Sequence, residues 1–206
     1  LRLFLRNHLN RLGLLAQPSM TVSSAGNYND PYWMASNILV DSTLSIFNMG
    51  QNGLPLTQAD NDQIGYFQAN NANFPIQSGI VMVAATDADA VLQTAPGPSG
   101  NNVAFTDTEL SSVLTQLGTS GTMYDMVEIE FSFIAQSDSI AFNYVFGSFE
   151  YDGFTCSNYN DVFGFFLEGS YINGTTAPLG QTIVRNIATI PGTTTPIAVN
   201  TINGGS

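Results

Sequence analysis

The sequence predicts an all-β protein, an antiparallel and jelly-roll-like β-sandwich with one α-helix inserted near residues 107–117 and a short N-terminal helix. In several segments apolar side chains alternate with polar ones, which is the period of a half-buried β-strand. The 19 glycines and many Asn, Ser and Thr residues supply the turns between these segments. Residues 162–167 are apolar on both faces, as in a strand inside a sandwich. Two packed sheets would bury these apolar faces.

The short helix is predicted at residues 31–39, in the sequence PYWMASNIL. Asp30 precedes this segment and a proline occupies its first turn, a combination typical of helix N-termini. The helix is expected to bury Trp33 and Ile38.

The inserted helix is predicted from a capping signal that is followed by an apolar stripe. Thr106 and Glu109 stand three residues apart, as the two members of a capping box do. The stripe has helical spacing and consists of Leu110, Val113, Leu114 and Leu117. Gly118 follows the stripe and is expected to end the helix.

Eight strands are predicted, at residues 43–49, 63–67, 79–85, 126–134, 139–146, 161–168, 182–190 and 196–202. The fourth strand has on one face Val127, Ile129, Phe131 and Phe133. Its other face carries acidic and hydroxyl residues, so this strand is expected to be half-buried. The fifth strand has on one face Ile140, Phe142, Tyr144 and Phe146.

Residues 20–206 are expected to form one domain, which the length of the chain supports, and residues 1–19 to form an extension before it. The arginines and the closing LLAQ of this extension suggest the remnant of a leader, although polar residues interrupt its apolar stretch. Alternatively, its apolar residues recur at helical spacing and predict a short amphipathic helix that ends near Gly13 and Pro18. Such a basic helix could dock on the acidic body of its own or a neighbouring subunit.

Charge is distributed unevenly along the chain. Three of the four arginines lie within the first eleven residues, there is no lysine, and all sixteen acidic residues follow. A surface this acidic repels phosphate groups, so neither nucleic acid nor an anionic membrane is expected as a partner of the domain. Divalent cations and basic protein segments suit it better. No stretch reaches the roughly 20 apolar residues of a transmembrane helix, so no transmembrane segment is expected.

The most informative stretch is SIAFNYVFGSFEYDGFTCSNYNDVFGFFLEG, residues 139–169. With DPYWMASNILV, IGYF and FPIQSGIVM upstream and NIATIPGTTTPIAVNTIN downstream, it resembles the choice-of-anchor L domain family of secreted bacterial proteins, known best from Bacteroidetes. The likeness covers most of residues 20–203. Phe149 departs from the family pattern, which usually has an acidic residue there.

The resemblance implies a secreted domain on the cell surface and does not define its biochemical activity. A structural or adhesive role without enzymatic activity is the first functional hypothesis. It also implies further strands after Ser206, so the sandwich is expected to be incomplete by itself and to have an unpaired edge or groove. A neighbour could complete it by donating a strand, and residues 1–19 are the expected donated segment, as a strand or a helix. The chain would then self-associate as the subunit of a filament or other homopolymer.

Oxygen-bearing side chains are concentrated in the loop between the fifth and sixth predicted strands. Calcium prefers carboxylate, amide and backbone carbonyl oxygens. The expected calcium ligands are Glu150, Asp152, Asn160, Asp161 and, from another loop, Asp87, with Asn158 and Asp89 as further donors. The alternative is that these residues form turns through hydrogen bonds to their own backbone.

The same loop contains three aromatic residues, Tyr151, Phe154 and Tyr159. Exposed aromatic rings can stack on sugars or on a protein partner. The alternative is that these rings close the end of the sandwich. A calcium-dependent carbohydrate-binding module, with an extracellular glycan as its partner, is therefore the second functional hypothesis.

Catalytic chemistry has little support in the sequence. Glu150 and Asp161 could act as general acid and base on a glycosidic bond, but neighbouring carboxylates are common in an acidic, turn-rich chain. His8 is the single histidine and lies outside the domain, which removes Ser-His-Asp and Cys-His catalysis and a histidine zinc site.

Two single residues each leave two interpretations. Cys156 is the only cysteine, so it is either a buried thiol or a thiol whose partner lies beyond this sequence or in another chain. Arg185, in the sequence TIVRNIATI, is either a charge on an edge strand or the ion-pair partner of a loop acid.

Overall fold

The computed structural model of the protein describes residues 2–6, 20–40, 44–49, 63–70, 74–92, 104–148, 155–157 and 160–202. The strands within these residues are β1 (Arg2–Arg6), β2 (Thr21–Ser23), β3 (Leu44–Met49), β4 (Ile64–Gln68), β5 (Ser78–Met82), β6 (Ala104–Phe105), β7 (Met123–Tyr124), β8 (Met126–Ala135), β9 (Phe163–Gly169), β10 (Tyr171–Ile172), β11 (Thr175–Thr176) and β12 (Ile183–Asn186). The α-helices are α1 (Pro31–Met34), α2 (Thr108–Gln116) and α3 (Val199–Ile202), and 3-10 or π-helical turns cover Gly26–Asn29, Ala35–Leu39 and Ala88–Leu92.

The largest sheet has five strands in the order β12-β9-β1-β8-β3, and every neighbouring pair in it is antiparallel. A second sheet has three antiparallel strands in the order β2-β4-β5. Two further strand pairs, β10-β11 and β6-β7, are short and antiparallel. The prediction of an all-β, antiparallel architecture with few helices is therefore confirmed.

The main core lies between the five-stranded and three-stranded sheets. One buried cluster joins Ile64 of β4 and Met82 of β5 with residues of the larger sheet, which are Val127, Ile129, Phe131, Phe163 and Phe165. Met34 of α1 belongs to the same cluster and is completely buried. The arrangement is sandwich-like, because side chains from two sheets share one core.

Helix α2 packs against the opposite face of the five-stranded sheet. Its three buried residues are Leu110, Val113 and Leu114, and they form a cluster with Met126, Val162 and Phe166. Residues 162–166 are consequently buried on both faces, as the sequence predicts for this strand. Glu128 shares the face of Met126, which packs in the cluster with α2, and it is buried as well, so the prediction of a half-buried fourth strand is wrong at this position.

The short helix begins as predicted. One carboxylate oxygen of Asp30 accepts hydrogen bonds from the backbone N–H groups of Tyr32, at 2.9 Å, and Trp33, at 3.1 Å. These bonds satisfy two amides that the first helical turn leaves without partners. Trp33 and Ile38 are half-buried and pack against the main core, while Met34 and the next residue supply the completely buried surface.

Helix α2 has the predicted apolar stripe but a different cap. The side chain of Asp107, not Thr106, accepts a hydrogen bond from the backbone N–H of Leu110, at 2.7 Å. Asp107 stands one residue closer to the amides of the first turn, so its carboxylate reaches them. Gly118 follows the helix with φ +71°, which confirms it as the terminating residue. Among the described helices, none combines the length and apolar character needed to cross a membrane.

Six of the eight predicted strands overlap a strand of the structure, and the one predicted at 196–202 does not. Only single bridges occur there, before helix α3. The reason is local: the Thr201 hydroxyl donates a hydrogen bond to the carbonyl of Pro196, at 2.8 Å, and accepts one from the backbone N–H of Ala198, at 2.9 Å. Such side-chain bonds to the backbone replace ladder bonds and turn the chain.

Residues 139–146, predicted as a strand, pair with none of the described strands. The place beside β8 and β9 where this segment would fit is taken by β1. The predicted amphipathic helix in the first residues is correspondingly wrong over 2–6, which form a strand with neighbours on both sides. Two rows of ladder bonds outweigh the local helical pattern in these five residues. The rest of the predicted helix lies outside the described residues.

Truncation of Ile129 tests the main core. Ile129 is completely buried on β8, so Ile129→Ala should lower the free energy of unfolding by about 2–5 kcal/mol. Ile134→Ala on the same strand is the control, because Ile134 is 57% exposed and its truncation should cost less than about 1 kcal/mol. Urea denaturation followed by tryptophan fluorescence measures both, and equal losses would contradict the assignment of the core.

Candidate functional site

Several residues that the sequence predicts for a ligand site lie outside the described residues, namely Glu150, Tyr151, Asp152, Phe154, Asn158 and Tyr159. Their roles as calcium ligands or sugar-stacking rings therefore stay predictions. The structure does describe the two ends of this loop, at residues 155–157 and 160–161, and its anchoring to the body of the domain.

The second end of the loop is buried against helix α3. Asn160 and Asp161 immediately precede the bridge residue Val162, and each is only 6% exposed. The side-chain oxygen of Asn160 accepts a hydrogen bond from the backbone N–H of Asn200, at 3.1 Å. The backbone carbonyl of Asp161 accepts one from the N–H of Val199, at 3.0 Å. The start of α3 is thereby fixed to the loop.

Asn200 holds the other end of the same loop. Its side-chain oxygen accepts a hydrogen bond from the backbone N–H of Cys156, at 2.7 Å, and its amide nitrogen donates one to the carbonyl of Ser157, at 3.2 Å. Cys156 has φ +64°, a left-handed conformation that non-glycine residues rarely adopt, and the bond from its N–H helps to stabilise it. Sequence reasoning missed Asn200, and its one signal was an Asn in a predicted strand, where Asn is disfavoured.

The thiol of Cys156 is exposed, which overturns the interpretation of a buried spectator. Cys156 lies in the left-handed turn at the first end of the loop, outside the core clusters. Within this sequence it has no cysteine partner, because Cys156 is the only cysteine.

Asp87 and Asp89 form a turn of their own. A carboxylate oxygen of Asp87 accepts a hydrogen bond from the backbone N–H of Asp89, at 3.1 Å, as in the turn-forming alternative to calcium binding. Burial raises the pKa of Asp89 above its usual value, and the neighbouring charge of Asp87 and a hydrogen bond to it raise it further. No three acidic, His or Cys side chains within the described part of the chain are grouped so as to hold a metal ion.

The most distinctive feature of the fold is the strand position between β8 and β9, filled by β1. In register, Leu3 lies opposite Ile129 on one side and Phe165 on the other. Leu5 lies opposite Val127 and Phe163 in the same way. All four residues opposite Leu3 and Leu5 belong to the main core. The β1 segment therefore joins β8 and β9 into one sheet.

The ends of β1 carry positive charge next to an acidic strand. Arg2 lies opposite Glu130 in the ladder with β8, and Phe4 lies opposite Glu128.

Residues 139–146, which we call the aromatic segment, lie against β9 without joining any of the described sheets. The ring of Phe142 is 4.6 Å from that of Phe165, and the ring of Tyr144 is 5.1 Å from that of Phe163. The Phe146 ring also faces Phe163, at 6.1 Å. Partial burial raises the pKa of the Tyr144 phenol above its usual value.

Arg185 lies on β12, at one edge of the five-stranded sheet, as the edge-strand interpretation predicts. Its guanidinium donates a hydrogen bond to the hydroxyl of Thr175, at 3.1 Å. The side chain is exposed, so it places a charge on the sheet edge.

Removing the Asn200 side chain should loosen the loop. Asn200→Ala deletes the acceptor for the Cys156 amide and the donor to Ser157, so the free energy of unfolding should fall by about 1–2 kcal/mol. Hydrogen exchange of the Cys156 amide should accelerate about tenfold. Asn143→Ala, at an exposed position, is the control and should change stability by less than about 0.5 kcal/mol. Unchanged exchange at Cys156 would contradict the anchoring role.

Charge removal at Asp89 should have a pH-dependent effect. Because the folded state raises the pKa of Asp89, folding favours the protonated form, and the wild type loses this stability as pH rises through the folded pKa. Asp89→Asn should therefore be the more stable protein at pH 7, by only about 0.3 kcal/mol because the group is well solvated. The advantage should vanish near pH 3 in thermal denaturation. Asp138→Asn controls for the loss of one negative charge, and an Asp89→Asn variant less stable than wild type at pH 7 would contradict the argument.

Comparison with known proteins gives one family assignment. No curated protein and no solved structure matches the chain. The family model for the choice-of-anchor L domain matches residues 21–206, which include the three-stranded sheet, helix α2, the anchored loop and every strand of the five-stranded sheet except β1. The chain belongs to the choice-of-anchor L domain family.

Proposed function

We propose that the protein is a secreted, non-enzymatic structural or adhesive protein of the bacterial cell surface whose copies assemble by exchanging the β1 segment. Membership of the choice-of-anchor L family indicates a surface-associated bacterial protein. The single observation that carries the assembly proposal is the position of β1, in the middle of the five-stranded sheet and between two strands of the core.

Geometry favours exchange of this particular strand. Residues 7–19 join β1 to the domain, and thirteen residues can span up to about 45 Å when extended. That reach allows β1 to enter the sheet of a neighbouring copy instead of its own. The ladder bonds would be the same in both cases, so the exchange costs little apart from the ordering of the connection.

Both backbone and charge would contribute to the binding of a neighbour's β1. Main-chain hydrogen bonds to β8 and β9 supply affinity, and the alternating side-chain positions supply specificity, as in other cases of strand addition. The segment contributes two of the chain's four arginines, while all sixteen acidic residues follow it in the sequence. Attraction between a basic donor and an acidic acceptor accelerates association and weakens in high salt.

A non-enzymatic role fits the chemistry of the site residues. Asn160 is committed to a hydrogen bond that fixes α3, and the carbonyl of Asp161 serves the same contact. These interactions give the loop a structural task. Turnover of a polysaccharide that disappears in Glu150→Ala would overturn the non-enzymatic assignment.

Blocking β1 tests the assembly proposal. In the full-length chain, Leu3→Pro/Leu5→Pro removes two backbone N–H groups from a central strand and should prevent its pairing. Oligomers or filaments of the wild type, seen by sedimentation velocity and negative-stain microscopy, should then be lost. Leu3→Val/Leu5→Val keeps both N–H groups and is the matched control, expected to assemble like the wild type. Assemblies that persist unchanged in the proline variant, or a wild type that stays monomeric at all concentrations, would refute exchange.

A calcium-dependent carbohydrate-binding module is the second candidate. The observation that favours it is the burial of Asn160 and Asp161 at the end of a loop that also contains Glu150 and Asp152. Carboxylate and amide oxygens are the ligands that calcium prefers. The aromatic residues of the loop would then present rings to a sugar.

Calorimetric titration with calcium decides the second candidate. The wild type should bind calcium, and Asp161→Asn should bind it at least about tenfold more weakly because one charged ligand is lost. Asp138→Asn, which changes an exposed carboxylate outside the loop, should bind like the wild type. A glycan screen with and without calcium follows. Absence of calcium binding to the wild type would remove this function.

A further inference from the structure

We propose that the aromatic segment, residues 139–146, is a second occupant for the strand position between β8 and β9, in competition with β1. The inference deepens the proposed function and rests on it in one respect, namely that β1 can leave this position. It names what fills the sheet when β1 has left, and so what opposes the docking of β1 from another copy.

The composition of the aromatic segment is that of a strand. Ile140, Phe142, Tyr144 and Phe146 alternate with smaller or polar residues, and β-branched or aromatic side chains favour the extended conformation. The structure keeps this alternation in part, since Ile140 and Phe142 are half-buried while Ala141 and Asn143 are exposed. A segment with strand-forming sequence therefore lies beside the five-stranded sheet and pairs with none of its described strands.

The ring contacts show the direction in which the segment runs. Phe142 faces Phe165, and Tyr144 faces Phe163, so residue numbers rise along the segment while they fall along β9. The aromatic segment is therefore antiparallel to β9. Any strand that joins β8 and β9 in the manner of β1 must have this direction, because β1 is antiparallel to both.

The register also agrees. In the existing ladder with β9, Leu3 lies opposite Phe165 and Leu5 lies opposite Phe163. Phe142 and Tyr144 face these same two residues of β9, so they correspond to Leu3 and Leu5. A lateral shift of the segment into the sheet would place aromatic side chains at the two positions whose partners on β8 are also core residues.

Chain connectivity favours the aromatic segment as a local competitor. Strand β8 ends at Ala135, and four residues, 136–139, lead into the alternating part of the segment. A four-residue connection is short enough for a β-hairpin, and strands that are consecutive in sequence usually pair. With the segment inserted, β8, the segment and β9 would form a simple meander. β1 must instead close a loop of about 120 residues to reach β8, which costs more chain entropy.

Competition of this kind makes assembly reversible without unfolding. When β1 leaves, the aromatic segment restores partners to the inner edges of β8 and β9, so the core need not open. A chain in this state is closed on itself, and an incoming β1 must displace the segment. The balance between the two occupants then sets how readily copies exchange β1.

Hydrogen exchange with mass spectrometry tests the competition in the full-length chain. In Leu3→Pro/Leu5→Pro, amides of residues 139–146 should exchange at least about tenfold more slowly than in the wild type, because they gain ladder partners. Amides of β8 and β9 should stay protected, and residues 2–6 should lose protection. Leu5→Gly, which only weakens β1, should give a smaller change in the same direction.

Blocking both occupants provides the decisive comparison. Asn143→Pro alone should alter stability little, because Asn143 is exposed and its segment belongs to no sheet. Combined with Leu3→Pro/Leu5→Pro it should unfold the central sheet, so that the two changes are strongly non-additive. Additive effects, or a Leu3→Pro/Leu5→Pro variant in which β8 and β9 lose protection while residues 139–146 stay unprotected, would overturn the inference.

The two proposals fail in different ways. Loss of assembly without new protection in residues 139–146 refutes the competition and leaves strand exchange standing. New protection in residues 139–146 with unchanged assembly supports the competition and refutes exchange as the means of association.

Discussion

Strands β8 and β9 lie one strand apart, and the backbone N–H and C=O groups along their facing edges must be paired because both strands are buried. Their side chains contribute to the core under the three-stranded sheet and to the cluster under α2. Loss of the strand between them would therefore expose unpaired groups at the centre of two clusters at once. Both core clusters therefore depend on a strand that occupies the position between β8 and β9.

Sequence patterns predict those parts of the fold whose cause is local. Asp30 caps the short helix because its carboxylate lies within three residues of the amides it binds. Gly118 ends α2 because glycine readily adopts the positive φ of a helix terminus. The prediction fails where distant parts of the chain compete for the same neighbours. Residues 139–146 have the sequence pattern of a strand but pair with none of the described strands, whereas residues 2–6 have a helical pattern and form the strand between β8 and β9. Pairing depends on which segment reaches β8 and β9, and alternation within a segment does not contain that information.

The candidate site, too, could be predicted from the sequence only in part. Chemistry alone identifies the loop rich in oxygen donors, including Asn160 and Asp161. The partner that fixes this loop, Asn200, lies about forty residues away, and its contact arises from the turn into α3. A hydrogen bond between an amide side chain and a distant backbone leaves no periodic trace in a sequence. The burial of Glu128 also has no signal in the sequence, since its face of β8 alternates as an exposed face does while Met126 on that face packs in the cluster with α2.

The edges of the five-stranded sheet give the surface protein a further property. Arg185, the single cation after residue 11, stands exposed on the edge strand β12. A charge on an edge strand discourages open-ended pairing with the edges of other molecules. The proposed exchange of β1 through the interior position would instead add only one strand per sheet, in one register and one direction. Such joining would differ from the edge-to-edge stacking of sheets that leads to aggregates.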